Sequence, residues 1–242
     1  MLSKNQIKLI KSLAQKKYRS QHGLFTVEGL KGISEFLDSP YKLYQIYSTD
    51  AVFDVSEKDY TLISPEDLKR ISQLKNPNVA LAVFEIPKPK PVDSSKLIVA
   101  LDDLRDPGNL GTIIRLCDWF GVEDLVCSNA TVDCYNSKVV QATMGSLARV
   151  NLSYVDLKKF LSEIEYDVFG TFMDGDTIYN TTLPERGVLV MGNEANGISG
   201  SIEALVSKKL AIPRFGNLKA TESLNVATAT AICLSEFKRG SI

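Results

Sequence analysis

A chain of 242 residues, 44% hydrophobic and 24% charged, is ordinary globular material, long enough for one large domain or two compact ones. Its net charge of −1 excludes a uniformly basic or acidic chain, and apolar runs such as Leu97 to Leu101 and Val188 to Met191 are far too short to cross a bilayer. Cys117, Cys127, Cys134 and Cys233 form no Cys-x-x-Cys pair and lie far in sequence from the single histidine, His22, so neither a metal site nor a disulfide framework is encoded.

The near-neutral balance hides an asymmetry at the start of the chain. Between Met1 and Val27 stand six basic side chains, Lys4, Lys8, Lys11, Lys16, Lys17 and Arg19, with no Asp or Glu. Residues 3 to 18 place Ile7, Ile10 and Leu13 or Ala14 at helical spacing among the lysines, which predicts one basic amphipathic helix. Its cations would hold nucleic acid through phosphates, without reading sequence; a solvated helix face is the plainer alternative. No apolar signal core follows these lysines, so a cytoplasmic protein with reduced, mostly buried thiols is expected.

From Phe25 to Phe84, apolar clusters at 25–27, 43–47, 61–63 and 79–84 alternate with helical stretches near 30–37 and 65–74, which predicts a small α/β domain. The run Ile86-Pro87-Lys88-Pro89-Lys90-Pro91 forbids a helix interior and reads as a spacer. We place the domain boundary there, giving domains 1–90 and 91–242. Beyond it, strand candidates at 96–101, 123–127, 166–172, 187–191 and 208–212 are separated by helical stretches or loops, the pattern of a mainly parallel sheet covered on both faces. Such sheets bind ligands beyond the carboxyl ends of their strands.

Three strand ends stand out. Leu101-Asp102-Asp103-Leu104-Arg105-Asp106-Pro107-Gly108-Asn109-Leu110-Gly111 runs from a strand through a Pro-Gly turn into a helix that Asn109 is expected to cap, with Arg115 two turns in. An arginine there suits phosphate, although a surface carboxylate would equally occupy it. Val190-Met191-Gly192-Asn193-Glu194-Ala195-Asn196-Gly197-Ile198-Ser199 is an apolar strand entering a loop in which two glycines allow close backbone approach, Glu194 offers a carboxylate and Ser199 a cap. It is neither a dinucleotide fingerprint nor a P-loop. Finally Ile212-Pro213 leads through polar residues to Ser223-Leu224-Asn225 and a helix rich in Ala and Thr, with Ser223 the expected cap.

In this order and spacing, Asn109 with Gly111 and Arg115, Met191-Gly192-Asn193-Glu194 with Gly197, and Ile212-Pro213 with Ser223-Leu224-Asn225 resemble the three motifs of the SpoU (TrmH-like) RNA ribose methyltransferases of the SPOUT superfamily. The resemblance spans roughly residues 97–237, and His22 to Phe84, with Phe25-Thr26-Val27-Glu28-Gly29, is similar to the family's substrate-binding domain. It implies a sheet whose part from about 187 to 232 is threaded into a trefoil knot, a topology that general connection rules would exclude. It further implies a homodimer joined through the knotted domain, S-adenosylmethionine as methyl donor, no metal, and an RNA substrate, ribosomal in preference to transfer RNA. The cofactor-binding positions it implies are Thr171, Met191, Gly192, Gly197, Ile212 and Leu224. Those around the reacting ribose are Asn109, Arg115, Glu194, Ser223 and Asn225. The nine residues from Arg214 to Glu222 exceed the tight turn of many relatives. A non-catalytic RNA-binding or ribosome-assembly protein on the same fold is the rival reading, which the presence of Asn109, Arg115 and Glu194 disfavours.

Overall fold

The computed structural model describes residues 2–216 and 223–240, and the chain divides into two compact units. The first comprises residues 1–88 together with 133–149, the second residues 89–132 with 150–242. The first change of unit falls between Lys88 and Pro89, and residues 133–149, which follow in sequence, group with the first unit.

In the first unit the basic N-terminus forms two helices rather than one: α1 (Lys4–Ser12) and α2 (Lys16–His22). Ser3 and Gln6 form a reciprocal capping box that starts α1. The chain breaks at 13–15 because Leu13 turns into the core and its carbonyl, with that of Ala14, is taken by the Arg19 guanidinium. Arg19 is only 3% exposed and also donates to Asp133. It is not one of the outward cations that the sequence suggested.

The chain continues through β1 (Leu24–Glu28), α3 (Leu30–Leu37), β2 (Leu43–Ser48), β3 (Tyr60–Leu62), α4 (Pro65–Ile71) and β4 (Ala80–Glu85). The strands make one sheet in the order β1-β4-β2-β3, antiparallel except for β2 with β3. Phe25, Phe36 and Phe84 are fully buried at its centre, each such side chain contributing about 1.5–3 kcal/mol of burial. Tyr135, from the 133–149 segment, places its ring 4.6 Å from that of Phe25 and its hydroxyl 3.3 Å from that of Tyr41. This aromatic packing is why the segment belongs here.

The second unit begins with β5 (Leu97–Leu101), α5 (Pro107–Trp119) and β6 (Asp124–Ser128). After the excursion that contains α6 (Ser137–Thr143), it resumes with β7 (Asn151–Val155), α7 (Leu157–Ser162), β8 (Val168–Thr177), β9 (Gly187–Met191), α8 (Gly200–Glu203), β10 (Lys208–Ala211) and α9 (Val226–Arg239). The six strands form a wholly parallel sheet, ordered β10-β8-β9-β5-β6-β7. β5 and β9 are buried at every position, as central strands covered on both faces must be.

Two features of this sheet differ from expectation. β7 was not anticipated, because it is an edge strand of mixed polarity, Asn-Leu-Ser-Tyr-Val, buried only at Ser153. β8 does not end at residue 172, as its apolar run suggested, but continues to Thr177, and its pairing with β10 shifts register between Lys209 and Leu210, from Gly170 to Asp176. All four cysteines are buried and form no disulfide, and burial pushes the thiols of Cys117 and Cys233 up to about 12, far from the reactive range. Among the described residues no helix is long and apolar enough to cross a membrane.

Candidate active site at the carboxyl edge of the second sheet

Strand order dictates where a ligand fits. From β5 the chain steps outward to β6 and β7, returns to β8, and then inserts β9 between β8 and β5. The connections leaving β5 and β9 therefore run to opposite sides, and a crevice opens between them at their carboxyl ends. The loops at this crevice are residues 102–106 and 192–199, both singled out from the sequence.

The loop after β9 is closed on itself. Asn193 and Gly197 exchange two backbone hydrogen bonds of 2.9 Å each, and Gly197 takes a left-handed φ of +67°, for which glycine is suited. Gly192 has no room for a side chain: a Cβ there would lie 2.2 Å from the carbonyl carbon of Gly197 and 2.3 Å from the nitrogen of Ile198. Asn193 Oδ1 accepts from the nitrogens of Ala195 and Asn196, while its Nδ2 donates to the Asp103 carbonyl at 2.6 Å. Buried Asp102 accepts from the nitrogen of Ser199 at 2.8 Å. Asn193 and Asp102 thus lock the β5 and β9 loops together. Sequence reasoning quoted both residues without giving them a role; a carboxylate immediately after a buried strand was the available signal.

Asn109 does not cap α5. The cap is Asp106, whose Oδ1 accepts from the nitrogen of Asn109 at 2.7 Å, because Pro107 occupies the first helical position and moves the cap three residues upstream. Its side chain is thereby freed for other partners. Asn109 Nδ2 donates to Glu194 Oε1 at 3.0 Å, and Asn109 Oδ1 accepts from Asn225 Nδ2 at 2.9 Å. One amide joins all three stretches. Asn225, in place of Ser223, caps α9, its Oδ1 accepting from the nitrogens of Ala227 and Thr228; Ser223 stands two residues before it, exposed. Ser199 occupies the N-cap position of α8 without a side-chain cap bond.

Glu194 accepts from Asn109 and from the nitrogens of Asp106 and Arg105. Partial burial is the largest single influence and pushes its carboxyl up, but these donors, with its own backbone, together outweigh it and hold the group below its ordinary value. It is therefore an ionised acceptor near neutral pH and a weak base. Its geometry is that of an anchor for the start of α5.

Of the apolar positions, Met191 is buried, Ile212 half-buried and Leu224 48% exposed. Thr171 lies with its hydroxyl 3.9 Å from the Met191 sulfur. Arg115 is exposed and, among the described residues, makes no hydrogen bond or ion pair; no carboxylate occupies it. Six residues beyond Asn109, its backbone lies about 9 Å further along α5 and about 120° around the axis, and its side chain makes no bond to Asn109, Glu194 or Asn225. Of the Arg214–Glu222 loop, only residues 214–216 lie within the described residues, and Phe215 there is 82% exposed.

A wholly parallel α/β sheet, a switch-point crevice and three loops tied through one asparagine define a member of a known class: the chain belongs to the SpoU rRNA methylase family, whose model matches residues 96–235. A second family model, an MRM3-like substrate binding domain, matches residues 4–82. Among curated relatives, the chain is 29% identical over 240 residues to the 23S rRNA (guanosine(2553)-2'-O)-methyltransferase RlmP of Bacillus subtilis, covering 95% of each. Among solved structures, it is similar to a TrmH-family protein from Porphyromonas gingivalis, with a TM-score of 0.92, 37% identity and 99% of each chain covered. It is also similar to an AdoMet-bound rRNA methyltransferase from Sinorhizobium meliloti, with a TM-score of 0.87, 27% identity, and 100% of this chain and 98% of that one covered.

Proposed function

We propose that this protein is an S-adenosylmethionine-dependent ribose 2'-O-methyltransferase acting on ribosomal RNA. The observation that carries the reading is the Asn109 side chain, bonded at once to Glu194 and Asn225, so that all three motif stretches meet at one strand-end crevice. The fit to a methyl donor rests on the tight glycine loop of Gly192 and Gly197 after β9 and on the incompletely covered apolar side chains of Ile212, just after β10, and Leu224, just before α9. With Thr171 and Met191, these are the positions we assign to holding the cofactor. When bound, S-adenosylmethionine supplies a methyl group already activated on a sulfonium.

The protein's task is then alignment and charge stabilisation. Asn109, Glu194, Ser223 and Asn225 fix the walls around the ribose, so that its 2'-hydroxyl meets the methyl carbon in line, which alone is worth several powers of ten. A guanidinium is too weak an acid to act as an ordinary base, so we assign Arg115 to the adjacent RNA phosphate and to the developing alkoxide. The hydroxyl proton leaves to that phosphate or to water. That Arg115 meets no carboxylate among the described residues supports this assignment. We further infer a trefoil knot over residues 187–232 and a homodimer through this unit. The insertion of β9 between β8 and β5, followed by the return of α9 to α5, supports the first, and Trp119, 84% exposed on α5, supports the second.

Mapping 2'-O-methyl positions in total RNA from cells with and without the protein tests the substrate. Loss of one ribosomal position is expected. Loss from transfer RNA alone would reassign the substrate, and an unchanged map would favour the non-catalytic alternative.

A further inference from the structure

The first unit contains a cavity of about 310 Å³ that the methyl-transfer site does not use. One wall comes from β1, through Thr26 and Glu28, and another from the turn after α4, through Gln73 and Leu74. The third is α6, with Ser137, Lys138 and Val140. All of it lies within the first compact unit.

The polar groups of this cavity are ordered by one another. Ser137 Oγ donates to Gln73 Oε1 at 2.7 Å, and Gln73 Nε2 is 3.5 Å from Thr26 Oγ1. The Gln73 backbone nitrogen donates to Glu28 Oε1 at 2.9 Å, and the Ser72 hydroxyl donates to the other carboxylate oxygen. The Gln73 amide is thus held in one orientation, with a second N–H and a second carbonyl lone pair still available. Glu28 retains acceptor capacity alongside it. Val140, buried, and Leu74, half-buried, give the cavity its apolar surface. Lys138 is exposed at the rim, and its ammonium has no protein partner among the described residues.

A fixed amide, presenting a donor beside an acceptor, is the group that pairs in bidentate fashion with a base edge. A neighbouring carboxylate selects an exocyclic amino group, and an ammonium at the mouth suits a phosphate. We propose that this cavity binds one unpaired nucleotide of the RNA substrate, with Gln73 and Glu28 reading a base that carries an exocyclic amino group, such as adenine or cytosine, in preference to uracil, which has none. This inference rests on the RNA-methyltransferase reading, and it adds a recognition site remote in sequence from the three motifs. The α6 wall is carried by a segment that lies in sequence between β6 and β7.

The test uses the full-length protein without cofactor and fluorescence anisotropy with single-stranded A8, C8 and U8 oligoribonucleotides. A8 and C8 should bind about tenfold more tightly than U8. Gln73→Ala, an exposed substitution checked for an unchanged melting temperature, should remove that preference. Lys138→Ala should weaken all three oligonucleotides alike and flatten the salt dependence. Equal affinity for the three in the native protein, a preference that survives Gln73→Ala, or absence of oligonucleotide binding would overturn the proposal. A parallel methyl-transfer assay keeps the two readings apart: transfer without base preference removes this site alone, whereas base preference without transfer removes the enzymatic reading and leaves the site standing.

Discussion

Asn109 shows how the local role of one side chain can be misread from sequence. Its type and position after a Pro-Gly turn suggest a cap, but Asp106 caps and the Asn109 amide becomes the link between Glu194 and Asn225. Asn109→Asp removes the donor to Glu194 and sets two carboxylates together, so its turnover should fall further than that of Asn109→Ala; undiminished methyl transfer in Asn109→Ala would deny the link a role. Arg115→Ala should lose turnover with little change in cofactor affinity by calorimetry, and Arg115→Lys should remain impaired because the planar fork is gone. Substantial activity in the lysine variant would count against bidentate phosphate holding. Arg19 carries the opposite lesson, since it looks like part of a basic face and is instead the buried partner of Asp133. Removing it strands that carboxylate, and Arg19→Ala should cost about 3 kcal/mol in denaturant unfolding.

Among the elements, the β9 loop is the least tolerant of change. A methyl group at Gly192 meets the backbone at Gly197 and Ile198, and neither neighbour is the flexible end of a side chain that could swing aside. Gly192→Ala must therefore open the Asn193–Gly197 pair, and a displacement of that size should lower turnover about a hundredfold; an unaffected enzyme would show that the loop has slack. Docking of this loop onto the start of α5 also depends on the charge of Glu194. Its carboxyl is held below its usual value in the folded chain, so the bonds to α5 contribute stability that is present above the ordinary carboxylate range and lost as pH falls through the lowered value. Because Glu194 is exposed, the contribution is below about 1 kcal/mol. Melting temperature followed between pH 6 and 3 should decline less steeply in Glu194→Gln than in the parent, and identical slopes would contradict this.

In the molecule as a whole, the legible parts were those with strong local patterns. β5 and β9 are uninterrupted apolar runs because both faces of their sheet are covered, and α3 showed its amphipathic spacing plainly. β7 was hidden because an edge strand with Asn151 and Ser153 offers no such run. The excursion of 133–149 into the first unit was hidden because its binding contacts, Tyr135 on Phe25 and Asp133 on Arg19, are long-range pairings that no local period encodes. The site was legible as three strand ends, while the side-chain bonds that unite them depend on the insertion of β9 beside β5. What decides the proposed chemistry is the position of the transferred methyl. Labelled S-adenosylmethionine, the protein and ribosomal RNA should yield, after alkaline hydrolysis, label in an alkali-resistant dinucleotide, because a 2'-O-methyl group blocks cleavage of the adjoining linkage. Label recovered in a mononucleotide, or no transfer at all, would contradict a ribose methyltransferase built around Asn109.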